Sequence, residues 1–217
     1  MVKDNLSTLY EKLPSGVKLV AVSKFHPVER LMEAYEAGQR VFAESRPQEL
    51  SVKVPQMPSD VEWHFIGHLQ TNKLKLVLPY VSLVQSVDSL HLLQAIDRWG
   101  SEHDRVVDVL LELHLGAEET KQGFSDKEIL SMIGSPACHY RIRGLMGMAT
   151  NTDDEGVIEA DFARIEALFL RIRKEHPELA GTFTELSIGM SSDWPVAVRH
   201  GATMVRIGTD IFGPREY

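Results

Sequence analysis

Short β-branched apolar runs alternate along the chain with longer segments in which apolar residues recur every three or four positions. Such alternation builds βα units, because a parallel strand pair needs a long crossover and a helix supplies it. The runs that read as strands are Lys18–Lys24, Arg40–Ser45, Glu62–His68, Leu83–Asp88, Val106–Leu115, Tyr140–Thr150, Thr184–Met190 and Met204–Phe212. Between them, "VERLMEAYEAG", the stretch around "RPQELSVKV", "NKLKLVLPYV", "SLHLLQAIDRWGSEHD", "SDKEILSMIG", "DDEGVIEADFARIEALFLRIRKEHPEL" and "SDWPVAVRHG" read as helices, several with an Asp or Ser start signal. A further helix, "NLSTLYEKL", precedes the first strand. Eight strands separated by helices over 217 residues predict the α/β class and a compact (β/α)8 barrel. An open doubly wound sheet would carry a Gly-rich phosphate turn after an early strand, and no G-x-G-x-x-G occurs. No repeat or linker-like tract interrupts the chain, so residues 1–217 are expected to form a single domain.

Charge and cysteine content narrow the function classes. With 23 Lys and Arg against 31 Asp and Glu, the net charge of −8 argues against a general nucleic-acid or anionic-membrane surface. Cys138 is the only cysteine, which excludes an internal disulfide and a Cys-rich zinc site and suits a reducing compartment, so a cytoplasmic address is expected. The N-terminus "MVKDNLSTLYEKLP" lacks the apolar core of a signal peptide, and no segment approaches the ~20 apolar residues of a membrane span. His64 and His68 in "WHFIGH" invite a metal reading, but four residues of strand separate them by roughly 13 Å, so no metal is expected. Cys138 and His139 point to opposite faces if they lie on a strand, which leaves Cys138 a bystander.

A (β/α)8 barrel carries its chemistry at the C-terminal ends of its strands. "KLVAVSK" ends there in Lys24, and strand alternation puts Val20, Val22 and Lys24 on one face. A lysine at the mouth of a buried strand either snorkels to water or loses its proton and becomes a nucleophile. The last two strands end in "LSIGMSSDWP" and "MVRIGTDIFG", where barrels commonly hold a phosphate group. Ser187, Ser191, Ser192 and Thr209 offer hydroxyls there, and Gly189 and Gly208 let backbone N–H groups approach. Turn and cap chemistry explains each of these singly; their joint placement favours phosphate. Arg206 lies between Val205 and Ile207 and shares the inward face with Gly208. A buried guanidinium needs a partner, either a carboxylate such as Glu44 or Glu112 or the ring nitrogen of a cofactor. A Schiff-base lysine, a phosphate pocket and an inward arginine together suit pyridoxal 5′-phosphate. Lys121 in "EETKQGF", and Asn72 and Lys73 in "LQTNKLK", lie on the same face, while Met146, Met148 and Met190 read as core and pocket lining.

The stretches "LVAVSK", "VFAESRPQEL", "WHFIGHLQTNK", "EETKQGF", "IRGLMGMAT", "LSIGMSSD" and "VRIGTDIFGPREY" occur in order across the chain, which in them resembles the pyridoxal phosphate homeostasis protein family. The resemblance implies a single-domain barrel of the alanine-racemase type (fold type III of the pyridoxal phosphate proteins) that binds the cofactor as a Schiff base of Lys24. It implies further that Arg206 lies near the pyridine nitrogen and that Ser191, Gly208 and Thr209, with Ser187, hold the phosphate. A guanidinium cannot accept the pyridine proton, so the ring stays neutral and is a weaker electron sink than one paired with a carboxylate. The family has no firmly assigned reaction and is taken to buffer or deliver the cofactor. That implies a noncatalytic carrier whose partners are the cofactor and pyridoxal-phosphate-dependent apo-enzymes, with a racemase-like enzyme as the alternative and a barrel for another phosphorylated metabolite as a third reading. The racemases' additional β domain is absent here, which points to a monomer. The family's second-strand Gly-Glu-Asn-Tyr stands here as "AESR", with Ala43 and Ser45 in place of glycine and asparagine. Ser45 is shorter and keeps a hydrogen bond only through water or a shifted backbone.

Overall fold

The structure, a computed structural model, describes residues 1–116, 122–134 and 139–214. Eight parallel strands close into a barrel in chain order: β1 (Lys18–Val22), β2 (Val41–Glu44), β3 (Glu62–Phe65), β4 (Leu83–Val87), β5 (Val107–Leu113), β6 (Tyr140–Gly147), β7 (Glu185–Ser187) and β8 (Met204–Ile207). Closure is made by β8 against β1, with Lys18 opposite Met204 and Ala21 opposite Ile207. Helix α1 (Val2–Lys12) leads, and α2 (Val28–Glu36), α3 (Pro47–Lys53), α4 (Leu90–Glu102), α5 (Asp126–Met132), α6 (Glu155–Glu175), α7 (Trp194–Arg199) and α8 (Thr209–Phe212) follow. Local chemistry starts three of them. The Ser89 hydroxyl accepts the Leu92 N–H at α4, Ser125 and Glu128 form a reciprocal capping box at α5, and Asp154 accepts the Gly156 N–H at α6.

Strand alternation produces two apolar layers. Leu19 and Ala21 of β1 face outward into the layer beneath the helices, which includes the fully buried Phe42, Phe65, Phe162 and Phe183. Val20, Ala43, Leu83, Leu110, Met146 and Met204 make a smaller inner layer, one residue each from β1, β2, β4, β5, β6 and β8. Complete burial of one such side chain contributes roughly 1.5–3 kcal/mol, so the outer layer supplies most of the hydrophobic stabilisation. The barrel interior is thereby free to hold polar groups. Among the described residues, no helix is long and apolar enough to cross a membrane.

The structure corrects the expected elements at their C-terminal ends, where the site forms. The run expected as strand over Met204–Phe212 is strand only to Ile207; Thr209–Phe212 is a short helix whose N–H groups at Ile211 and Phe212 bond the Gly208 carbonyl. Gly213, at φ +90°, stops it. Similarly, β7 ends at Ser187 because Gly189 turns the chain at φ +93°, and β1 ends at Val22 because Ser23–His26 is a tight turn. Between β3 and β4 the connection is not an α-helix but a 3₁₀ segment, Thr71–Leu76. Leu74 and Val77, both buried, stand three residues apart and suit its period, and Pro79 blocks continuation.

Candidate functional site

A cavity of about 490 Å³ opens at the C-terminal mouth of the barrel. Lys24, Ser191, Arg206, Gly208 and Thr209 line it, with Val22, Ile66 and the three methionines Met146, Met148 and Met190 as apolar wall. Ser45 and Ser192 also reach it. Ser187 is not part of the lining. It is fully buried beneath Arg206, where its hydroxyl accepts from Arg206 Nη1 at 2.8 Å and donates to Gln85 Oε1 at 2.6 Å. The sequence reading missed His26 and Asp210, which also line the cavity. His26 closes the turn that carries Lys24, and Asp210 comes within reach because the chain coils after Gly208 instead of running on as a strand.

The Lys24 end is built on the Ser23–His26 turn, closed by the His26 N–H to the Ser23 carbonyl at 3.1 Å. Phe25 sits in the left-handed region, at φ 68°, a conformation that costs a bulky residue about 1 kcal/mol or more. Support comes from α3. Lys53, buried under the turn, donates to the Ser23 carbonyl at 2.9 Å, to Glu44 Oε1 at 2.6 Å and to Glu49 Oε2 at 3.1 Å. Those three bonds satisfy its ammonium. The Ser23 hydroxyl donates to Glu44 Oε1 at 2.7 Å, and the Phe25 N–H donates to Glu49 Oε2 at 2.9 Å. Burial pushes the Glu44 carboxyl up, while Lys53 and the Ser23 hydroxyl pull part of that back. Its second oxygen is buried with no hydrogen-bond partner among the described residues. Burial also works against Glu49, but the Phe25 N–H, Lys53 and Arg46 outweigh it and hold Glu49 below the usual carboxylate range.

The Arg206 end is built on β8. Arg206 is 4% exposed; Nη1 donates to the Ser187 carbonyl at 2.7 Å and to its hydroxyl, and Nη2 donates to the Gly147 carbonyl at 2.9 Å. Three of its five N–H groups are thus committed to the barrel wall. The carboxylates named from the sequence do not hydrogen-bond it: Glu112 acts on it only through its charge, as does Asp193. Burial pulls Arg206 down to about 10 against those two charges, which leaves it cationic at neutral pH. Burial and the neighbouring Asp88 push the Glu112 carboxyl up to about 7, with Arg206 and His68 opposing. Asp193 accepts the Met190 N–H at 2.5 Å and fixes the loop that carries Ser191. Close approach requires glycine twice here: a Cβ on Gly189 would lie 2.6 Å from that of Ala197, and one on Gly208 would lie 3.1 Å from the Val22 carbonyl oxygen.

His64 faces the barrel interior, and His68 bonds Asp88 at 2.8 Å at the rim. Among the described residues, no group of three or more His, Cys, Asp or Glu is placed to hold a metal ion. Asn72 and Lys73 lie in the 3₁₀ segment and not on the cavity wall. Lys121 and Cys138 lie outside the described residues.

The model of the alanine racemase N-terminal domain matches residues 1–216. The pyridoxal phosphate homeostasis protein of Pasteurella multocida is 36% identical over 208 residues, covering 94% of this chain and 88% of that protein. The structure of PipY from Synechococcus elongatus with PLP bound superposes with a TM-score of 0.90 at 36% identity, covering 98% of this chain and all of that one. Alanine racemase from E. faecalis superposes with a TM-score of 0.77 at 18% identity, and the match covers 98% of this chain but 57% of the racemase, a likeness of fold alone.

Proposed function

Because the chain belongs to the pyridoxal phosphate homeostasis protein family, within the alanine racemase N-terminal domain group, we propose that it holds pyridoxal 5′-phosphate in the mouth of its barrel and keeps it for other proteins without turnover. The observation that carries this reading is that one cavity gathers Lys24, Arg206 and the hydroxyl and backbone groups of Ser191, Gly208 and Thr209. The donor set fits the group. The two N–H groups of Arg206 not committed among the described residues suit a neutral ring nitrogen, and Gly208, with no side chain, leaves its backbone open at the cavity wall. When bound, the cofactor supplies an electrophilic aldehyde and a ring able to accept electron density. Lys24, on the cavity wall, would hold that aldehyde as a Schiff base, with water as the leaving group. Ser191, Thr209 and the Gly208 backbone bind the phosphate; Ser187 acts one layer below, by holding Arg206. A guanidinium keeps the ring unprotonated, which limits its use as an electron sink and favours storage over carbanion chemistry. Storage in the cytoplasm and release to apo-enzymes complete the reading, in keeping with a chain that has one cysteine.

Titration of the protein with pyridoxal phosphate, borohydride reduction and peptide mapping test this. The label is expected on Lys24 and is expected to vanish in Lys24→Ala. A label on another lysine, or none, overturns the Schiff base, and solvent deuterium entering the α-carbon of an added amino acid overturns storage without turnover.

A further inference from the structure

The two strands that give nothing to the apolar inner layer, β3 and β7, place His64 and Ser187 inside the barrel instead, and Gln85 of β4 lies between them. Arg206 Nη1 meets the Ser187 hydroxyl at 2.8 Å, which meets Gln85 Oε1 at 2.6 Å. Gln85 Nε2 meets His64 Nδ1 at 2.8 Å, and His64 Nε2 meets Glu62 Oε1 at 2.9 Å. Lys18, on the neighbouring rim, reaches the same Glu62 oxygen at 3.4 Å. A continuous polar column therefore runs from the cavity floor to the opposite end of the barrel.

The charges at its ends set its direction. Arg206 can only donate, so the Ser187 oxygen accepts from it and the Ser187 proton is left to point at Gln85 Oε1. Glu62 is a carboxylate that His64 and Lys18 hold down to about 2, so it can only accept, and His64 carries its proton on Nε2. Nδ1 is then bare and takes the Gln85 amide N–H. Both ends thus require the same orientation of Gln85 and the same tautomer of His64. Every donor points one way, from cation to anion, and such chains strengthen as each bond polarises the next. An apolar layer of the same volume would hold a barrel at least as well, so stability alone does not account for this column.

We propose that Gln85 and His64 are positioning residues for Arg206, forming with Ser187 a one-way hydrogen-bonded column, anchored at Glu62, that fixes how the guanidinium faces the ring nitrogen of a bound cofactor. The inference rests on the reading of the cavity as a pyridoxal phosphate site. Without the column the Ser187 hydroxyl can rotate, the Nη1 bond to it slackens, and Arg206 is held by its two backbone-carbonyl bonds alone. The effect reaches the cofactor from residues that never touch it.

The test compares Gln85→Met, which cuts the column at its centre, with Glu62→Gln, which removes only the terminal charge at the half-exposed end. Leu110→Val, in the inner layer outside the column, is the packing control. Gln85→Met is expected to weaken pyridoxal phosphate binding roughly tenfold and Glu62→Gln roughly threefold, in line with loss or weakening of a hydrogen bond to a charged group. Both are expected to displace the absorption maximum of the bound cofactor, while Leu110→Val leaves affinity and spectrum as in the wild type. If Gln85→Met does not fold, Glu62→Gln decides. A second readout needs no cofactor: ¹⁵N NMR of the apo-protein is expected to show His64 as the neutral Nε2–H tautomer. An Nδ1–H tautomer, wild-type binding in both column variants, or an equal effect of Leu110→Val overturns the proposal. Absence of any borohydride-trapped lysine in the wild type would instead count against the Schiff base, and the His64 tautomer would still decide the column.

Discussion

Lys24 stands on a turn whose support lies outside the barrel lumen, in Lys53 and Glu49 of α3 and Glu44 of β2, whereas Arg206 stands on a strand whose support runs through the inside, in Ser187, Gln85 and His64. The outer support is a knot of charges around a strained residue, Phe25. The inner one is, between its ends, a neutral chain in which each group has a partner. A charged cluster is sensitive to the loss of any one member, because the remaining charges are left buried and uncompensated. A neutral chain transmits orientation but carries little of the stability. The proposed Schiff-base lysine thus sits on a turn held by charge, and the arginine proposed to face the ring sits on a strand held by neutral groups.

The largest break in this comparison is Lys53→Met. It leaves Glu44 buried with only the Ser23 hydroxyl as donor and frees the Ser23 carbonyl, and removal of one partner from a buried pair is expected to cost about 3–5 kcal/mol. Urea unfolding measures it, and pairing the change with Glu44→Gln is expected to recover part of the loss. A cost under about 1 kcal/mol would mean that the turn is not held by charge. The Arg206 end is broken more gently, and from the basic side. Glu112 has a folded-state pKa of about 7, above its unfolded value, so its contribution is fully present below the unfolded value and is lost as pH rises through about 7. Glu112→Gln is therefore expected to match the wild type near about pH 4 and to exceed it by about 2 kcal/mol near about pH 8. Denaturant unfolding across that range measures the gap, and a gap constant with pH would remove Glu112 as a titrating neighbour of Arg206.

The barrel is legible in the sequence because each strand and helix carries its own period within a few residues. Arg206 is legible for the same reason, since alternation from Val205 turns it inward, whereas Lys24 and Gly208 are legible as the positions just past the ends of β1 and β8. Depth is not encoded in that period. Ser187, expected at the phosphate, faces inward but lies one layer below the cavity, where its hydroxyl is consumed by Arg206 and Gln85. Lys53 and Gln85 gave no local signal, because their partners meet them only in the fold: Ser23 is 30 residues from Lys53, and Ser187 is 102 residues from Gln85. The tail "TDIFG" reads as strand by composition, and the stop glycine at position 213 was the one sign of a helix.

The smallest effect sharpens the contrast between the two ends. Glu49 joins the Phe25 N–H to Lys53, so it ties the strained residue to the ion cluster. Its folded-state pKa lies below the unfolded one, so its contribution is present above the unfolded value and is lost as pH falls through the folded value. Glu49→Gln is expected to cost about 1 kcal/mol at neutral pH, the scale of a charge-assisted bond at a partly exposed site, and nothing in strong acid. Glu44, whose carboxyl is pushed up in part by the Glu49 charge, titrates with the opposite sign, so the difference between wild type and Glu49→Gln carries the coupled pair. Stability curves of the two proteins are thus expected to converge toward acid, whereas those of wild type and Glu112→Gln diverge toward base. If the Glu49→Gln difference stays constant down to about pH 2, the Phe25 turn is held by shape and not by the Glu49 charge.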